Sequence, residues 1–138
     1  AQVLAAVDIR TGRRVWERSV ASQDSILCVG DWLYIVSLDQ QVACIDRLSG
    51  HVRWITQLRR FRKIKESKDI VTWFGPIMAA GQIVCLSTLP ENGMVRINPQ
   101  TGAIISSDAM EAVSFVPPIV VDNQMLIVTN DGNLISYG

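Results

Sequence analysis

The chain has 138 residues, 49% of them apolar and 19% charged, which is the composition of a folding chain of about one domain and not of a disordered one. Thirteen basic and thirteen acidic side chains cancel to a formal net charge of zero, which removes the global basic bias of a nucleic-acid binder. No apolar run approaches the ~18 residues of a membrane-spanning helix, and no signal peptide opens the chain, so a cytosolic, mature or truncated polypeptide is expected.

The elements are short and read as strands throughout. "LAAVD" (4–8) alternates and stops at Asp, and "RRVWERS" (13–19) follows a Thr-Gly turn. Next come "SILCV" and "WLYIVS", joined at Gly30, then "VACID" and "HVRWIT", joined at Ser49-Gly50. After the basic stretch 58–72, the pattern resumes with "PIMAAGQIVCLST", "MVRIN" and "AIISSDA", and finally with "PIVVDNQMLIVTN" and "LISYG". β-Branched and aromatic residues fill the runs, while Gly, Asn, Asp and Pro fill the joints. "ENG" (91–93) and "NDGN" (130–133) are hairpin signals. No window of a dozen residues carries a capped 3.6-residue period, and only a short helical turn is expected within 59–70. Cys28, Cys44 and Cys85 sit in apolar runs at irregular spacings and read as buried free thiols, neither a metal set nor a disulfide framework.

The runs repeat as a unit of four strands, A to D, keyed on Thr11-Gly12, Ser49-Gly50 and Thr101-Gly102. Gly12 and Gly50 lie 38 residues apart and Gly50 and Gly102 lie 52 apart, the longer interval carrying the insertion. A four-stranded propeller blade repeats every ~40–45 residues. The expected fold is therefore an all-β propeller of four-stranded antiparallel blades. It divides into a half blade (1–20), a blade (24–58), the basic insertion (59–72), a second blade (74–109) and terminal strands (115–138). That is about three blades, and a ring closes with about four to eight, so a longer propeller is expected, with blade faces open to self-association.

At each C–D joint the residue types have local jobs. An Asp closing strand C caps the turn, a hydroxyl residue caps it from the other side, and Gly takes the left-handed conformation. Trp16 and Trp54, four residues past their glycines, are placed to lie against a neighbouring blade. The third copy has Ser106 where the others have Trp. The blade-docking set is thus Asp8, Thr11, Gly12, Trp16, Asp46, Ser49, Gly50, Trp54, Thr101 and Gly102.

No residue set points to catalysis, a cofactor or a metal. The acidic residues fall about one per turn, and His51, the single histidine, follows Gly50 with no partner in its sequence context. The unexpected feature is the insertion, where Arg59, Arg60, Arg62, Lys63, Lys65 and Lys68 supply six of the thirteen basic residues. A basic loop on a propeller rim is a candidate contact with an acidic partner or with lipid headgroups, and otherwise a solvated loop. Trp73 and Phe74, just beyond it, are expected to pack beneath it as core.

The pattern Ala-x-Asp-x-x-Thr-Gly-x-x-x-Trp at Ala6–Trp16 resembles the docking motif of PQQ-type propeller repeats. Cys44–Trp54 follows it with two small substitutions and Arg96–Ser106 more weakly. The terminal "PPIVVDNQMLIVTNDGNLISYG" is similar to the end of the assembly lipoproteins of the outer-membrane β-barrel machinery, which carry periplasmic propellers of about eight blades. The resemblance implies a non-enzymatic scaffold without cofactor on the periplasmic face of the outer membrane. Its partner is the central subunit of the complex, with no nucleic acid. Membrane association comes only from an N-terminal lipid whose Cys this chain lacks. The other readings are a segment of a PQQ-dependent quinoprotein dehydrogenase, which needs oxygen-ligated Ca²⁺, a catalytic carboxylate and often an adjacent Cys pair, and a carbohydrate- or peptide-binding propeller.

Overall fold

The computed structural model describes residues 3–19, 26–87, 89, 91–109, 119–121, 124–128 and 134–137, all of them strand, turn or loop. β1 (Val3–Val7) and β2 (Arg14–Ser19) pair as an antiparallel ribbon. β3 (Leu27–Val29), β4 (Trp32–Val36), β5 (Gln41–Asp46) and β6 (Val52–Gln57) form a four-stranded antiparallel meander in chain order. A hairpin of β7 (Phe61–Lys63) and β8 (Lys68–Ile70) follows. The second meander is β9 (Trp73–Ala79), β10 (Gln82–Ser87), β11 (Met94–Ile97) and β12 (Ile104–Asp108). β13 (Ile119–Val121), β14 (Gln124–Val128) and β15 (Leu134–Tyr137) make a third, three-stranded meander.

Side-chain alternation explains how the sheets stack. In β4 and β5, Tyr34 pairs with Cys44 and Val36 with Val42, so these four residues share one face. In β10 and β11, Ile83 pairs with Ile97 and Cys85 with Val95 on the face opposed to them. Together with Trp54, Leu58, Val71, Trp73 and Leu89 these residues form one buried cluster between the two meanders. β3, β4 and β13 all lie near β9. The far face of the second meander, Val84, Leu86 and Met94 backed by Ile77 and Ala79, forms a separate apolar cluster. The inner strands are therefore apolar on both faces, which is why "WLYIV" and "QIVCLS" read as continuous apolar runs. Of the outer strands, β6 buries Trp54 alone and β12 is exposed apart from the half-buried Ser106.

Two features differ from the sequence expectation. The insertion forms the β7–β8 hairpin and no helical turn: Phe61 pairs with Ile70 and Lys63 with Lys68, and Ser67 and Asp69 take positive φ near the bend. Extended backbone at Phe61–Lys63 and Lys68–Ile70 lets the cations diverge into solvent. Cys28 is exposed, while Cys44 and Cys85 are buried free thiols. The "ENG" signal is a tight β10–β11 connection, with Asn92 at positive φ and the Ser87 amide donating to the Gly93 carbonyl (2.8 Å). "NDGN" lies outside the described residues, although β14 and β15 pair on either side of it.

Candidate functional site

Each of the three C–D joints closes with the same hydrogen bonds. Asp8 Oδ1 accepts from the Arg10 amide (2.8 Å), Asp46 Oδ1 from the Leu48 amide (2.8 Å) and Asn98 Oδ1 from the Gln100 amide (2.8 Å). Thr11, Ser49 and Thr101 each accept, at 3.2 Å, the amide two residues on. Gly12, Gly50 and Gly102 have φ of 72°, 76° and 78°, the left-handed region that costs a Cβ-bearing residue strain.

The indoles act between sheets. Trp16, on β2, donates its Nε1–H to the Arg47 carbonyl (2.7 Å), and its ring covers Gly50 so closely that a Cβ there would stand 2.6 Å from Cδ2. Trp54, on β6, donates to the Pro99 carbonyl (2.9 Å), and a Cβ on Gly102 would stand 2.6 Å from its Cδ2. Each glycine thus answers two demands at once, a positive φ and a flat seat for an indole. Gly12 has the same φ, but a Cβ there meets nothing within 4 Å.

A bulge aims each ring, and it was invisible in the sequence. The C–D registers shift between Ala6 and Val7, between Cys44 and Ile45, and between Arg96 and Ile97. Trp16 faces Ala6 and Trp54 faces Cys44, small partners that leave room for an indole. In the third copy the sizes are exchanged: Arg96 faces Ser106, and Asp108 accepts from the Ser106 hydroxyl (2.9 Å) and lies 3.9 Å from the Arg96 Nε.

The six cations 59–68 are not equivalent. Arg59 turns inward: its Nε donates to the Phe61 carbonyl (2.8 Å) and its Nη2 to the Arg62 carbonyl (2.5 Å). Its own carbonyl accepts the Trp73 Nε1–H (2.9 Å), and the Arg60 carbonyl accepts the Val71 amide (2.8 Å). Trp73 is 2% exposed, so an aromatic floor beneath the insertion holds the hairpin base. Phe74 is only partly buried. Arg60 packs over the Phe61 ring, 5.3 Å from its centroid, and Arg62, Lys63, Lys65 and Lys68 are exposed. A cleft of about 320 Å³ lined by Arg59, Arg62, Leu89 and Glu91 adjoins the hairpin base.

Titratable chemistry is sparse among the described residues. No group of three or more His, Cys, Asp and Glu is placed to hold a metal ion. His51 is an exposed turn residue whose amide donates to Ser49 Oγ. Burial pushes the Cys85 thiol up to about 12 and raises Cys44 as well. Burial, then neighbouring Cys44, pushes the Tyr34 phenol up to about 12. These groups stay protonated in the core and offer no nucleophile at neutral pH.

Known proteins resemble this chain in sequence and in fold. Residues 1–56 match the family model described as outer membrane protein assembly factor BamB. The BamB of Salmonella typhimurium is 25% identical over 132 residues, covering 95% of this chain and 31% of that protein. The Escherichia coli BamB is 24% identical over 134 residues, covering 96% and 31%. Among solved structures, BamB from Moraxella catarrhalis superposes with a TM-score of 0.75 at 20% identity, over 97% of this chain and 37% of that one. The chain is thus similar to BamB over nearly all of its length, with the BamB-type repeat matched over residues 1–56. The WD40 domain of SCAP from fission yeast superposes with a TM-score of 0.61 at 14% identity, over 99% and 36%, so the fold is a β-propeller and its meanders are blades. The chain spans about a third of the length of these BamB relatives.

Proposed function

We propose that the protein serves as a non-catalytic scaffold in outer-membrane protein assembly, on the periplasmic face of that membrane, and binds the central subunit of the machinery through propeller rim loops. The observation that carries this reading is near-complete coverage of the chain by BamB relatives, whose name is that of an outer membrane protein assembly factor. The geometry is consistent with it: Asp8 and Asp46 spend their carboxylates on turn amides. In this reading Asp8, Thr11, Gly12, Trp16, Asp46, Ser49, Gly50, Trp54, Thr101 and Gly102 join blades, leaving the rims to vary and to bind. Arg60, Arg62, Lys63, Lys65 and Lys68 form an electropositive contact on one rim, with Arg59 bracing it from beneath. Anchoring by an N-terminal lipid belongs to the same reading.

The experiment is affinity purification of the tagged full-length protein from an envelope extract, with mass spectrometry of what co-purifies. The scaffold reading predicts the barrel-assembly subunit as the main partner. Thermal stabilisation of the full-length protein by quinone plus Ca²⁺, with no such partner, would establish the dehydrogenase instead.

A further inference from the structure

We propose that the β7–β8 hairpin is a lipid-docking element. It sets Ile64 and Ile70 into the interfacial layer of an anionic bilayer while Lys63, Lys65 and Lys68 engage headgroup phosphates. This goes beyond the scaffold reading and does not depend on which protein the propeller binds.

Charge is the first support. Residues 59–70 hold six cations against Glu66 and Asp69, a net of +4 in twelve residues, whereas the rest of the chain, seven basic and eleven acidic, carries −4. An anionic surface attracts this one segment and repels the remainder, which fixes orientation as well as contact. Lys65 and Lys68 have no carboxylate within ion-pairing distance among the described residues, and Lys63 lies 3.8 Å from Asp69. Their charge is available to a partner.

The apolar residues decide between kinds of anionic partner. Ile64, at the bend, is 66% exposed, and Ile70, at the end of β8, is 68% exposed. Across the hairpin Phe61 pairs with Ile70 and Lys63 with Lys68, so Ile70 shares the register of two lysines, while Ile64 and Lys65 stand exposed together at the bend. An acidic protein surface satisfies the lysines but leaves two isoleucines against carboxylates. A lipid interface takes both, since isoleucines enter below the phosphate plane while lysine stems snorkel back to it. The mount is firm: Leu58, Val71 and Trp73 are buried core, and Arg59 and Trp73 hydrogen-bond the hairpin base. The isoleucines are therefore held out from the blades instead of folding back onto them.

The test uses the full-length protein without an attached lipid and unilamellar vesicles of phosphatidylcholine, with or without roughly 30% phosphatidylglycerol. Expected is sedimentation with the anionic vesicles at low salt and none with the neutral ones. Lys63→Gln/Lys65→Gln/Lys68→Gln should weaken binding on the order of a hundredfold. Ile64→Ser/Ile70→Ser should weaken it about tenfold. A third variant, Ile64→Trp, should show an emission blue shift on anionic vesicles alone, and it keeps the question open to test if either multiple variant misfolds. No binding to anionic vesicles, no blue shift, or full binding by Ile64→Ser/Ile70→Ser would overturn the proposal. The last result would mark the ridge as a purely electrostatic contact of the kind an acidic protein makes.

Discussion

Three glycines with nearly the same φ should respond very differently to one methyl group. Alanine at Gly12 meets only backbone strain, about 1–2 kcal/mol in the left-handed region, because no atom lies within 4 Å of its Cβ. Alanine at Gly50 carries the same strain and also drives a Cβ to 2.6–2.8 Å from three atoms of the Trp16 ring. The indole must then move, losing its 2.7 Å bond to the Arg47 carbonyl and part of its contact. Overpacking of about 1–3 kcal/mol and a lost hydrogen bond of about 1 kcal/mol, added to that strain, bring the expected cost to roughly 3–6 kcal/mol. Gly102→Ala should fall in the same range, since its Cβ meets both Trp54 and Thr56 Oγ1. Urea unfolding of the full-length protein measures all three. A double-mutant cycle sharpens the result: in a Trp16→Ala background, Gly50→Ala should cost about as little as Gly12→Ala. Equal costs at all three glycines, or no coupling between positions 16 and 50, would refute indole seating as the reason for glycine there.

Trp54→Phe keeps an aromatic ring but deletes the donor to the Pro99 carbonyl and should cost about 1–2 kcal/mol in the same urea assay. Asp46→Ala removes the acceptor of the Leu48 amide and should cost about 1 kcal/mol, with Asp46→Asn recovering most of it. In a thiol-labelling time course at pH 8, Cys28 should react in the folded protein, and Cys44 and Cys85 only in denaturant. Cys85 and Tyr34 are both pushed up to about 12 by burial, so the folded state keeps protons that the unfolded state sheds from about pH 9 upward. Stability should therefore be flat below that point and fall as pH rises towards 12, as a urea titration at stepped pH will show.

What could be read from the sequence was what is local. Strands appear because "LYIV" and "IVCLS" are apolar on both faces, and the C–D turns appear because Asp, Thr or Ser, and Gly act within five residues of one another. The targets of the indoles were hidden, since the Trp16 acceptor lies 31 residues away and the Trp54 acceptor 45. The bulges opposite Trp16 and Trp54 exist only in cross-strand register. The hairpin escaped because its strands are three residues each and its cations read as a solvated loop. Its positive-φ residues are Ser67 and Asp69, and no glycine marked the bend. Cys28 sits in the apolar run "SILCV", but β3 pairs only over Leu27–Val29 and exposes its middle residue.

Direct binding of the purified full-length protein to the isolated periplasmic domain of the central barrel-assembly subunit, followed by calorimetry at two salt concentrations, bears most squarely on the proposed role. A scaffold predicts saturable one-to-one association that persists in the absence of quinone and Ca²⁺. No association, together with quinone-dependent turnover of an alcohol or sugar, would contradict it.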